Sequence, residues 1–117
     1  MLRNVLIGAV TSAGLHVAVG WEWTIAAAIL AGVLSIRRGW LAGAFALAAA
    51  WGSVLLGSYL MAPGASSILL GVIGGLISGN TIPAVAVAST LIFGGLLGLA
   101  GGAIGGQLRA MATATAE

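Results

Sequence analysis

The sequence predicts an all-α integral membrane protein: a compact bundle of about five (four to five) transmembrane helices packed through glycine and alanine faces. Three observations carry that expectation. Of 117 residues, 61% are hydrophobic and only 5% charged, where a soluble domain carries about 25% charged residues. A soluble chain this short would still show much of its surface to water, and too few polar groups are present to cover it. Apolar stretches near span length alternate with short breaks marked by Trp, Arg or Pro-Gly. Finally, Gly94, Gly98, Gly102 and Gly106 recur every four residues, which on a helix stacks them along one face. Gly95, Gly101 and Gly105 widen that strip. In water each interior glycine costs about 1 kcal/mol relative to alanine. In lipid the helix is enforced, and bare backbone lets a second helix approach closely.

Residues 1–110 read as one transmembrane domain. Its first span covers about 2–19, with Arg3 at the front. The same layout suits a signal peptide, with Ala18 and Gly20 as a small-residue exit. The long apolar core and the late His16 favour a retained span. Trp21, Glu22 and Trp23 then look like a membrane–water interface, where indole rings are half wet. A second span over about 22–36 returns to Arg37 and Arg38, which mark a surface loop. Trp40 anchors the third span, about 40–61, whose small residues include Gly43, Ala46 and Ala50 on one strip and Ala44, Ala48 and Gly52 on another.

Pro63-Gly64 is turn chemistry, and Ser66 or Ser67 can cap the next helix. The fourth span, about 66–79, carries Gly71, Gly75 and Gly79, again spaced by four, as a natural partner for the face Gly94–Gly106. Ser78 to Thr81 breaks it, and Pro83 suits the first turn of a last span over about 83–108. Residues 111–117 are expected to be a polar, frayed tail.

Five spans put Arg3, Arg37 and Arg38 on one side, with the N-terminus cytoplasmic in the cell (inner) membrane by the positive-inside rule. Arg109 then falls outside. A four-span arrangement, in which 68–78 dips in without crossing, removes that conflict. A faint internal echo pairs residues 5–10 with 68–73 and 29–34 with 91–96. Two hairpins so related would lie in opposite orientations, the plan of inverted-repeat transporters.

His16 is the single histidine, and an ionisable group within a span is costly and often functional. Thr11 and Ser12 lie about one turn before it, and Glu22 could reach it across the turn; the alternative is a neutral imidazole near the interface bonded to nearby backbone, with Glu22 a solvated interface carboxylate. Asn80 and Thr81, next to Pro83, could be the unwound middle of a broken helix that coordinates an ion, or an ordinary polar turn. His16, Glu22, Asn80 and Thr81 are therefore the candidates for a polar path. Arg37 and Arg38 set topology and can meet an anionic lipid headgroup.

No catalytic constellation appears: there are no paired carboxylates, no Gly-x-Ser-x-Gly and no metal-ligand spacing, and there is no cysteine. The expectation is a protein that is not an enzyme and holds no metal or cofactor. Four scattered arginines do not make a nucleic-acid surface. The expected partners are membrane lipids, and further copies or a larger membrane complex docked on the glycine faces. Two functions follow: an oligomeric channel or transporter-type bundle for a small ion or solute, or a non-catalytic accessory subunit.

Overall fold

The computed structural model describes residues 1–115, which form five helices and no strand. These are α1 (Leu2–Ala18), α2 (Thr24–Leu34), α3 (Gly39–Met61), α4 (Pro63–Ser78) and α5 (Pro83–Ala114), with a single 3₁₀ turn at Trp21–Trp23. The body is elongated, 57 × 26 × 22 Å.

Local chemistry sets the boundaries. Gly20, at φ 137°, lets the chain leave α1 where an L side chain would be strained. The buried Thr24 hydroxyl donates to the Trp21 carbonyl at 2.6 Å, locking the 3₁₀ turn onto α2. That turn and the extended Ser35 shorten the second helix to Thr24–Leu34, inside the expected 22–36. Pro63 and Pro83 each occupy a first helical turn, where no donor is lost. Gly79, at φ 77°, closes α4 and donates to the Gly75 carbonyl at 2.8 Å. At the far end α5 runs through Arg109 to Ala114, where a tail was expected from 111. Ala110, Met111, Ala112 and Ala114 are good helix formers, and no Gly or Pro stops them. Ala116 and Glu117 lie outside the described residues.

α2 and α3 form a central pair, flanked by α1 on one side and α5 on the other. α5 packs most extensively on α3. Gly52 faces Leu91, Gly43 faces Gly98 and Gly39 faces Gly102, so the two helices run antiparallel. The end of α3 and the start of α5 therefore share one end of the bundle. α4 is tied to that end twice, through Ala62 to α3 and through 79–82 to α5. Five alternating helices would set α3 and α5 parallel, and here they are antiparallel. Arg109 in turn moves to the end that holds Arg3, Arg37 and Arg38, and its Nη1 donates to the Val33 carbonyl at 3.0 Å.

The inverted repeat also fails. Its two hairpins would have to oppose each other, which would make α2 and α5 antiparallel. Instead Gly101 meets Ile25 and Ala28, and Gly105 meets Ile29 and Val33, so they run parallel.

Size is sorted inside out. The buried apolar residues are Ala27, Ala28, Ala31, Ala42, Ala46, Ala50 and Ala86, with Leu47 and Leu70 as the only large ones. Leu2, Val10, Phe45, Leu60, Leu76, Ile92 and Phe93 point outward. Small residues let backbones meet: a side chain at Gly43 or Gly98 would overlap the other's carbonyl, and one at Gly32 or Gly39 would run into the Gly102 carbonyl. Gly8 performs the same service for α1, where a Cβ would come within 2.8 Å of that of Ala31 and 2.9 Å of that of Ala46.

Among the described residues only α3 and α5 are long and apolar enough to cross a membrane; α1, α4 and the stretch 21–34 are shorter apolar helices. Within the apolar cores of α3 and α5, only 28% and 22% is buried inside the protein.

These contacts predict a graded response to bulk. Gly98→Val or Gly43→Val should destabilise the detergent-solubilised protein by about 1–3 kcal/mol or more, because a backbone carbonyl cannot move aside. Gly95→Ala and Gly106→Ala face open space and should leave thermal unfolding unchanged or slightly raised. Equal losses at all four positions would contradict the packing described.

Candidate functional site

The glycine contacts do not follow the strip expected from sequence. Gly94, Gly98 and Gly102 face α3, whereas Gly101 and Gly105 turn to α2. Gly106 meets nothing, because α3 begins at Gly39, opposite Gly102, and the next turn of the strip lies beyond it. α4 does not offer its glycines to this face: Gly74 lies against the Ile82 carbonyl, Gly75 touches Thr81 and Gly71 adjoins open space. Gly79 serves as a helix cap. The partners of α5 are instead Gly39 and Gly43 of α3 and Gly32 of α2. Gly39 and Gly43 are also four residues apart, but Gly39 lies just before the expected span 40–61, and Gly32 has only Ala28 at that spacing.

Over α3, between α1 and α5, lies a cavity of about 170 Å³. His16, Trp51, Val54, Leu55, Ser58 and Thr90 line it. The His16 and Trp51 rings meet edge to face, with centroids 6.1 Å apart and planes at 66°. Gly94 makes room for the indole, since a Cβ there would come within 3.3 Å of it. Ser58 and Thr90 donate to carbonyls of their own helices, Val54 and Ala86, both at 2.9 Å. Their oxygens keep lone pairs available as acceptors.

Two of the lining residues carry polar atoms buried without a hydrogen-bond partner in the protein, His16 Nδ1 and Trp51 Nε1, and Ser12 Oγ, outside the lining, is a third. Ser12 lies one turn before His16 and is 0% exposed. Such groups cost free energy, about 1–3 kcal/mol each for a neutral one. An imidazole, an indole donor and two hydroxyl acceptors around one small space can hold a small polar solute or relay a proton. Trp51 is the member that sequence reasoning missed, because a mid-span aromatic reads as core.

The other candidates lie elsewhere. Glu22 is exposed in the 3₁₀ turn, where its carboxylate folds back beside Gly20. Asn80 and Thr81 are exposed in the link between α4 and α5. The Asn80 carbonyl accepts from the Ile82 N–H at 2.7 Å and from the Ser78 hydroxyl at 3.1 Å, so its backbone is satisfied as a turn. The structure thus does not join Glu22, Asn80 and Thr81 to His16 in one path. Arg37 and Arg38 are exposed between α2 and α3. Arg38 takes φ 57°, uncommon for a residue with a side chain.

No protein-family model, no curated protein and no solved structure matches the chain.

Ser12→Ala separates stability from function. Removing an unpartnered buried hydroxyl should leave thermal stability in detergent unchanged or raise it by about 1 kcal/mol. A loss of more than that would mean that the hydroxyl is well bonded within the fold.

Proposed function

We propose that the chain is an integral membrane protein with four crossings, made by α1, the 3₁₀ turn with α2, α3, and α5. The single observation that carries this reading is the inside-out sorting of size. Large apolar side chains cover the outside of α3 and α5, and alanine and glycine fill the interior. Water gives no reward for that arrangement, whereas lipid tolerates it and close backbone packing supplies the attraction. Aromatic placement adds support. Trp40 and Tyr59 are exposed near opposite ends of α3, separated by about 28 Å at 1.5 Å per residue. A bilayer's hydrocarbon core is about 30 Å thick. Trp21 and Trp23 are exposed in the turn between α1 and α2. His16 reaches the level of Ser58, so the α1–α2 hairpin runs along most of α3. All four arginines at one end make that end cytoplasmic, in the cell (inner) membrane.

Within this frame the protein is a non-catalytic, transport-type bundle for a small ion or solute, and the His16–Trp51 cavity is where the cargo is held. The unpartnered polar atoms there support that reading, since intramembrane polar groups mark solute paths. Toward the basic end, the meeting of Gly39, Gly43, Gly98 and Gly102 closes the interior. One copy in this conformation therefore offers a pocket and not a pore, and passage requires a second copy or a helix movement. The accessory-subunit reading is weaker than it stood from sequence. The glycines it would dock through are largely spent inside the chain. What remains for a partner is the apolar groove between Tyr59, Leu70, Pro83 and Leu91.

Two measurements test these statements. The chain has no cysteine, so single-cysteine labelling from one side of the membrane reports topology cleanly. Ile36→Cys and Thr113→Cys should label from the same side, and Gly64→Cys and Asn80→Cys from the other. Labelling of Thr113→Cys together with Asn80→Cys from one side would overturn the four-crossing order. In liposomes, a proton or monovalent-cation flux should fall at least tenfold in His16→Leu and stay near parental in Asn80→Ala. Absence of any flux in the parent would turn the assignment to an accessory role.

A further inference from the structure

The basic end gathers more than a topological signal requires. The positive-inside rule needs arginines only on one side of the membrane. Here they line two adjoining grooves, of about 730 and 470 Å³, which share Ser35, Ile36 and Arg38. The first adds Arg3, Asn4 and Arg37, and the second adds Arg109 and Thr113. Three parts of the fold distant in sequence thus bring their cations to one place. Among the described residues the one carboxylate, Glu22, sits in the 3₁₀ turn at the opposite end.

The walls are pinned. Asn4 Nδ2 donates to the Leu34 carbonyl at 2.9 Å, and Arg109 Nη1 to the Val33 carbonyl at 3.0 Å. Those two bonds satisfy carbonyls left bare at the end of α2, and four of the five guanidinium donors of Arg109 remain. Arg38 holds a left-handed backbone between the two grooves, strain of a kind found at ligand clamps. Beside the cations the surface is apolar: Ile36 is 82% exposed and Leu34 38%.

We infer that Arg3, Arg38 and Arg109 form a binding site for the phosphate of an anionic phospholipid, with Ile36 and Leu34 against its acyl chain. Arginine matches phosphate oxygens through its planar fork of donors, and basic pockets between helices on the cytoplasmic side suit anionic headgroups. The apolar border separates this ligand from free phosphate, which would gain nothing from Ile36. The inference rests on the membrane reading above, and the test keeps the two apart.

The full chain in mild detergent is exposed to phosphatidylglycerol or phosphatidylcholine, and bound lipid is counted by native mass spectrometry. Phosphatidylglycerol should be retained in preference to phosphatidylcholine. Arg38→Gln and Arg109→Gln should each weaken its binding by about fivefold, the effect of one arginine near a membrane surface. Thr113→Glu, an exposed change with no packing role, should weaken it as well and guards against misfolding of the arginine variants. Glu22→Gln, at the other end, should leave it unchanged. Equal retention of both lipids, undiminished binding in all three weakened variants, or displacement by millimolar inorganic phosphate would overturn the site. A chain that needs detergent yet shows no lipid preference sinks this inference alone; one that is monodisperse in plain buffer sinks the membrane reading.

Discussion

Backbone-to-backbone contact between α3 and α5 is the constraint on which the rest depends. Gly43 and Gly98 each leave no room for a side chain on the other, and Gly102 fits between Gly39 and Gly43 of α3 and Gly32 of α2. Three helices meet where none contributes a side chain. That closeness displaces the large apolar residues to the outside and leaves alanine to fill the interior. In water the arrangement would lose twice, through glycine's helix penalty of about 1 kcal/mol per residue and through exposed apolar area at roughly 25 cal/mol per Å². Surrounded by hydrocarbon, neither loss applies in the same form. The helix is the only way to satisfy the backbone, and dispersion between close backbones becomes the available attraction.

The same contact fixes direction. Because α3 and α5 are antiparallel, the chain between them, α4 included, must begin and end at one end of the bundle. That places Arg109 beside the end of α2, where it and Asn4 complete carbonyls that the helix leaves open. The basic end is thus a consequence of packing at the glycines some turns away. The opposite end holds the Trp21–Trp23 turn, Glu22 and the links on either side of α4. The polar cavity at His16 and Trp51 lies along α3 between the two.

Much of the helical order was legible in the sequence, since Pro63, Gly79 and Pro83 punctuate it by local rules. Which helix would lie on which was not. A four-residue spacing identifies a face but not where the partner helix begins, and α3 starts at Gly39, opposite Gly102. Gly94, Gly98 and Gly102 therefore touch α3 while Gly106, on the same strip, meets nothing. Gly71 and Gly75 matched the pattern as well, yet Gly75 touches only Thr81 and Gly71 adjoins open space. At the junction, Gly39 pairs with Gly43 at the same spacing but falls in the break before the expected span 40–61, and Gly32 has no glycine four residues away. His16 and Ser12 stood out because polar groups are rare in this chain. Trp51, the ring partner of His16, did not, since only the fold brings it across from α3.

The most direct test is the distance between Gly43 and Gly98 in a lipid bilayer, measured by solid-state NMR with a ¹³C label on the Gly43 carbonyl and a second on the Gly98 Cα. Van der Waals contact, with the two atoms within about 4–4.5 Å, is the expected result. A separation of a full helix-packing distance with intervening side chains, about 8–10 Å, would contradict the account.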